Sequence, residues 1–382
     1  MSLSVIFGAD LVPTPSNYDL FKEGKLEKLI DKGVSDAIFS TDYRVYNLEL
    51  ALADEENPIV KCGPNIIAPT STVEGIKKFK PSLLTLANNH TRDHDVSGLL
   101  STIEVLDKNG INHIGAGKTF EEADKPYVFE KDGKKVCVYT CAEHEFTIIE
   151  ENVPGANPFD PYETFDRLIK LKNENDYLVV LYHGGKEHYR YPSPMLQKRC
   201  RKMLEKGADL VICQHTHCVG CYEDYAGGTV VYGQGNFLFD LYGSNECWQT
   251  SILVKAEFGD KMKLSYVPIC KDGIGVRLAN DAEAKEIMDG FYSRTEEIKQ
   301  KGFIKEKYLE IAKEQLPGYL LYIAGGSSCG RPVTDDFGLE YSPADFAALF
   351  NCINCEVHRE SIMAATWDIV TKANEKRKAE KG

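Results

Sequence analysis

The sequence predicts an α/β fold, built on a mostly parallel sheet or on two such sheets packed together. Three observations predict it. Over residues 1 to about 240, short β-branched runs end in polar or glycine clusters. Between several of these runs, apolar residues recur at helical spacing. Strand thus alternates with helix, the order expected when helical crossovers join parallel strands. The chain has 382 residues, 43% apolar and 27% charged, the texture of a globular protein with room for one large domain or two ordinary ones.

The strand-like runs are Leu3 to Phe7, Val45 to Leu50, Leu83 to Ala87, Val136 to Thr140, Tyr177 to Tyr182, Asp209 to Cys213 and Thr229 to Tyr232. The first ten residues lack a basic n-region, a long apolar core and a small-residue cleavage site, so they read as the first strand rather than a signal peptide. Leu99, Ile103 and Leu106 follow helical spacing and stop at Gly110. Asp160-Pro161 predicts a helix start, with an N-cap and then proline. Ser193-Pro194 predicts another, running to Lys206 and ending at Gly207. Ser251 to Phe258 and Met262 to Ile269, joined by Gly259-Asp260, read as a hairpin. From about 281 the texture is helical through Leu320, with a glycine-rich break and a last helical stretch from about Ser342. We therefore expect a domain over 1–280 and a helical C-terminal extension over 281–382.

Lys and Arg number 45 against 58 Asp and Glu, a net charge of −13. Such a chain repels nucleic acid and anionic lipid, so an anionic ligand needs a local basic spot or a metal. No run approaches the length of a membrane span. The 12 cysteines are scattered, often inside apolar runs (Cys137, Cys213, Cys270), and read as small buried hydrophobes of a cytoplasmic protein. Cys218-Val219-Gly220-Cys221 and Cys352-Ile353-Asn354-Cys355 with His358 have metal-like spacing; inward packing is the simpler reading of both.

In an open α/β fold, chemistry collects at the carboxyl ends of strands. The residues there are Asp10, Asn47-Leu48-Glu49, Asn88-Asn89-His90 with Asp93, His183-Gly184-Gly185, His215-Thr216-His217 and Gly235-Asn236. One such residue means little, but six successive strand ends carry Asp, Glu, Asn or His. These are oxygen and imidazole ligands, suited to zinc, manganese or iron. Period-two alternation would turn the rings of His215 and His217 to the same side.

The order of these motifs resembles the bacterial capsule-synthesis CapA family of poly-γ-glutamate biosynthesis, related to the calcineurin-like metallophosphatases. The resemblance rests on Gly8-Ala9-Asp10, Asn47-Leu48-Glu49, Asn88-Asn89-His90-Thr91-Arg92-Asp93, His183-Gly184-Gly185-Lys186-Glu187-His188-Tyr189, Gly207 to His217, and Tyr232-Gly233-Gln234-Gly235-Asn236-Phe237. It spans roughly residues 3 to 280 and implies a four-layer αββα sandwich. It also implies a site. Glu49 would bridge two metal positions; Asn89, His183 and His215 would complete one, and Asp10 with His217 would contribute to the other. His90 would act on the reacting or leaving oxygen as acid or charge stabiliser. Arg92, Lys186 and Arg190 are the basic candidates for an anionic substrate. Asp93 and Glu187 are candidates for orienting imidazoles, and Asn47, Asn88 and Asn236 line the expected cleft.

Two departures bear on the site. Val12 stands where the phosphatases carry a histidine ligand, and Gly184 stands where the family carries tryptophan. Asp10 and Glu49 neutralise one divalent cation; two cations would leave about two surplus positive charges until an anion binds. The expectation is one firmly held metal and a second that depends on ligand. The functional expectation is a metal-dependent hydrolase of a phosphoester or glutamyl amide in capsule or envelope polymer metabolism. The alternatives are a non-catalytic polyanion-binding protein using the same cleft, or a proton-transfer epimerase.

Overall fold

The computed structural model describes residues 2–59, 61, 63–241, 245–323 and 370–380. The chain divides into two compact units, residues 1–58 with 65–305, and residues 59–64 with 306–382. The first unit holds two large sheets and two two-stranded ones. In the second, residues 306–323 and 370–380 are helical.

One sheet orders its strands Gly275–Leu278, Met262–Asp272, Thr250–Phe258, Leu3–Val12, Tyr43–Asn47, Leu83–Thr85 and His113–Ile114. From Leu3–Val12 to His113–Ile114 its neighbours are parallel. The other sheet orders Tyr222–Tyr225, Gly228–Val231, Leu210–Gln214, Tyr177–His183, Lys134–Ala142 and Tyr127–Lys131. Its four inner strands are parallel too.

Alternation along each strand makes the layers. Val5, Phe7, Val45 and Leu83 of the first sheet face Val138, Val179, Leu181 and Ile212 of the second in one buried cluster. The opposite faces carry Ile6, Tyr46 and Leu84 against Val34, Ile38, Ile76, Leu99 and Leu106, and Val180, Tyr182 and Val211 against Leu168, Leu196 and Met203. The order helix, sheet, sheet, helix is the expected αββα sandwich. Gly8 permits one close contact in it: a Cβ there would lie 2.5 Å from the Tyr46 ring.

Ser193 caps Pro194–Glu205 by accepting from Leu196 N, and the hairpin after residue 249 forms as expected. The helix expected at Asp160-Pro161 begins instead at Thr164. Asp160 first closes a turn, its carboxylate accepting from Tyr162 N at 2.7 Å. The helix Asp281–Glu297 buries Ile287 and Phe291 in the inter-sheet core. The first compact unit therefore extends through this helix to Lys305. The glycine-rich break, most of the last helical stretch, and Cys352, Cys355 and His358 lie outside the described residues. Among the described residues no helix is long and apolar enough to cross a membrane, and the cysteines are free thiols, nearly all of them buried.

Candidate metal centre

Register brings the strand-end residues together. Asp10 pairs with Asn47, and Asn47 with Thr85, across three adjacent strands. On the other sheet His183 pairs with Gln214, the residue before His215. With the sheets packed face to face, both carboxyl edges open on one place.

Five buried side chains converge there. Donor atoms of Asp10, Glu49 and His183 lie within 4.8 Å of one another, as do those of Glu49, His215 and His217. Glu49 belongs to both groups, the position of a bridging carboxylate. The groups cut across the division implied by the resemblance, because His183 sits with Asp10 and His215 with His217. His183 Nε2 lies 3.3 Å from Glu49 Oε1 and 3.0 Å from Asn89 Oδ1, and His217 Nδ1 lies 3.5 Å from Asp10 Oδ2. Atoms bound 2.0–2.2 Å from one ion stand roughly 3–3.5 Å apart, so these spacings fit shared cations. Both carboxylate oxygens of Glu49, Oδ2 of Asp10 and Nδ1 of His215 are buried without a hydrogen-bond partner. Such atoms are costly in an apolar interior unless something else satisfies them. The residues fit a divalent metal.

The electrostatics agree. Burial, then the Asp10 charge, pushes the Glu49 carboxyl well above the usual carboxylate range. Burial would raise Asp10 too, but His217, His183 and the Asn47 amide outweigh it and hold it low. Burial lowers His183 to about 4. Burial, then His183 and His217, lowers His215 well below the ordinary imidazole. Burial would lower His217, but Asp10 and Glu49 overcome it and raise it to about 9. The shifts of Glu49 and His217 both favour the protonated form.

His215 and His217 follow the strand Leu210–Gln214 rather than continue it, with φ of +84° and +53°. Period two therefore does not orient them; two left-handed residues do. Left-handed backbone is strained for residues with a Cβ and often marks a functional site.

Several candidates hydrogen-bond to the cluster or to one another beside it. Asn47 donates to Asp10 Oδ1 at 2.7 Å and accepts from Asn88 at 3.1 Å. Asn88 also donates to Leu48 O and accepts from His90 N. Asn236 Oδ1 is 2.8 Å from His217 Nδ1. These amides set the orientation of the donors. We expect Asn47→Ala to weaken metal affinity about 10–100-fold, read by equilibrium dialysis; unchanged affinity would contradict this role.

His90 Nδ1 is held by buried Asp93, whose Oδ2 also accepts from Ile66 N at 2.6 Å. His90 is near enough that its charge disfavours that of His215. Lys186 acts on His215 likewise, and Glu187 Oε1 is 3.8 Å from His215 Nε2. Arg92 is turned to the loop after the strand Lys134–Ala142, donating to Phe146 O at 2.8 Å and Pro154 O at 3.2 Å. Arg190 is engaged by Val219 O and Glu246. Neither guanidinium is among the converging donors.

Sequence reasoning missed three neighbours. Glu145 Oε1 lies 3.7 Å from His215 Nε2. The Trp248 ring lies 4.7 Å from the His217 ring, and Trp248 Nε1 donates to His188 Nε2 at 2.9 Å. His188 stands in the same post-strand segment as Glu187, a signal that could have found it; Trp248 carried none. Gly184 makes room for Glu143, because a Cβ there would lie 2.5 Å from the Glu143 side chain.

The profile of the bacterial capsule synthesis protein PGA_cap matches residues 5–241, which include every member of the cluster. This chain belongs to that family. It is 29% identical to the capsule biosynthesis protein CapA of Bacillus anthracis over 217 residues, 54% of this chain and 53% of that one. It is 27% identical to the PGA biosynthesis protein CapA of Bacillus subtilis (strain 168) over 236 residues, 58% and 62% of the two chains. The match thus spans little more than half the length of these relatives. Among solved structures, the chain is similar to a phosphatase from Mycoplasma pneumoniae at 16% identity and TM-score 0.46, covering 71% of this chain and 95% of that one. It is also similar to a 5'-nucleotidase precursor from Thermus thermophilus at 13% identity and TM-score 0.42, covering 77% and 59%.

Proposed function

We propose that this capsule-synthesis family member is a metal-dependent hydrolase. Its substrate would be an anionic small molecule or polymer, a phosphoester or glutamyl amide, in capsule or poly-γ-glutamate metabolism. The observation that carries the reading is the convergence of Asp10, Glu49, His183, His215 and His217, with Glu49 common to both donor groups. The names of the relatives support the polymer context.

A divalent cation bound there supplies Lewis acidity and a nucleophile at neutral pH. The protein supplies the rest. Asn47 and Asn236 hold Asp10 and His217 in place. Asp93 fixes the His90 ring through Nδ1, and Nε2 is the atom that gives a proton to the leaving oxygen. Two carboxylates balance one cation, so one metal is held firmly and a second is held together with the anionic substrate.

The test is turnover of an artificial phosphodiester and a glutamyl anilide with added Mn²⁺ or Zn²⁺. The reading expects cleavage of one of them that EDTA abolishes and metal restores. Absence of cleavage with a metal-loaded site, or cleavage indifferent to EDTA, would contradict it.

A further inference from the structure

The described surface of the first compact unit has a second polar recess that the metal chemistry does not use. A groove of about 560 Å³ is lined by the helix Asp281–Glu297, by Thr250, Cys270 and Lys271 of the hairpin, and by Arg190 and Val219. Two guanidinium groups meet at its edge. Arg294 donates from Nε to Gly220 O at 2.8 Å and from Nη2 to Val219 O at 3.0 Å. Arg190 Nη1 donates to the same Val219 oxygen at 3.1 Å. Burial, then the neighbouring Arg190 charge, lowers the pKa of Arg294.

The basic residues of this groove are not balanced alike. Arg277 is paired with Glu283, and Lys271 with Asp240. Arg190 is paired with Glu246, a side chain 86% exposed, and an exposed pair of that kind holds weakly. Arg294 has neutral carbonyls as its hydrogen-bond partners and, among the described residues, no carboxylate within ion-pair distance. Its Nη1 donates no hydrogen bond among them.

Gly290 adds an independent observation. It lines the groove one turn before Arg294, and a Cβ there would lie 3.0 Å from Arg294 Nη1. Glycine inside a helix costs stability relative to alanine. At this position it lets the Arg294 guanidinium lie close against the helix. Two adjacent guanidinium groups, one without a counter-charge and seated against a glycine, form a fork suited to an oxyanion.

We propose that this groove binds the carboxylate or phosphate group of an anionic ligand through Arg294 Nη1 and Arg190, with Gly290 seating the Arg294 guanidinium. The site lies outside the residues 5–241 that match the family profile in one of its two walls, since Gly290 and Arg294 both follow that segment. It does not depend on the metal-centre reading.

The experiment is titration calorimetry of the full chain, freed of metal by EDTA and dialysis. The probes are inorganic tripolyphosphate in one arm and a short glutamate oligomer in the other. We expect saturable binding of at least one probe, weakened about tenfold or more by Arg294→Gln and by Gly290→Ala, and retained in Glu49→Gln. The arm that binds identifies phosphate or carboxylate as the ligand. Gly290→Ala favours the helix, so an unchanged or raised Tm in that variant shows that weakened binding is not unfolding. No saturable binding of either probe would overturn the proposal. So would binding unchanged in both groove variants. Loss in Glu49→Gln alone would place the anion at the metal centre instead.

Discussion

His90→Ala is expected to lower metal-dependent turnover about 10²–10⁴-fold while leaving metal content unchanged. His90 is outside both converging donor groups, yet its ring is buried and fixed at Nδ1 by Asp93. A buried carboxylate behind an imidazole orients the ring. An imidazole so held, close enough to His215 to disfavour its charge, is placed to move a proton rather than to ligate. Asp93→Asn should reproduce part of the loss, with the same metal content. A His90→Ala variant that loses its metal would make His90 a ligand; one that keeps full turnover would remove the acid from the mechanism.

The second large effect is on pH. His217 must lose its proton to ligate, and its folded-state value is raised to about 9. The sign follows from competition: below that value a proton occupies the ligand, so each unit of rising pH favours the cation about tenfold, until the group is deprotonated. His183, lowered to about 4, is already neutral at pH 6.5 and adds nothing above it. Metal affinity measured against a competing chelator should therefore rise on the order of fifty- to a hundredfold from pH 6.5 to 8.5. A flat profile would mean that His217 is not a ligand.

The same linkage governs the metal-free fold. A raised histidine stabilises while protonated, fully so below its unfolded value near 6.5, and this contribution is lost as pH climbs through about 9. His183 contributes oppositely: its stability is present above about 6.5 and is lost as pH falls through about 4.

Which residues gather at the site was legible because strand ends are legible. A β-branched run followed by Asp, Asn or His marks a carboxyl edge, and parallel strands align those edges. Asp10, Glu49, His183, His215 and His217 were all readable in this way. What each polar residue touches was not. Asn47 supports Asp10 because the two strands pair them in register, and register between strands far apart in sequence is a tertiary property. Arg92 sits two residues from His90, yet its long side chain reaches the 146–154 loop instead. The left-handed backbone of His215 and His217 turned an argument from alternation into one from a turn. Trp248 arrives on a short helical turn, with nothing local to mark it as a neighbour of His217. The helix after residue 280 was legible as a helix, but its docking through Ile287 and Phe291 depends on the sheet it covers.

The central claim is that these strand ends hold a cation. Its most direct test is elemental analysis of the purified chain by inductively coupled plasma mass spectrometry, beside a His183→Ala, His215→Ala double variant of matched secondary structure. The account predicts about one equivalent of zinc, manganese or iron in the parent chain, rising toward two when an anionic ligand is present, and little in the variant. A parent chain that takes up no metal after incubation with Mn²⁺ or Zn²⁺, or a double variant that retains the parent's content, would contradict it.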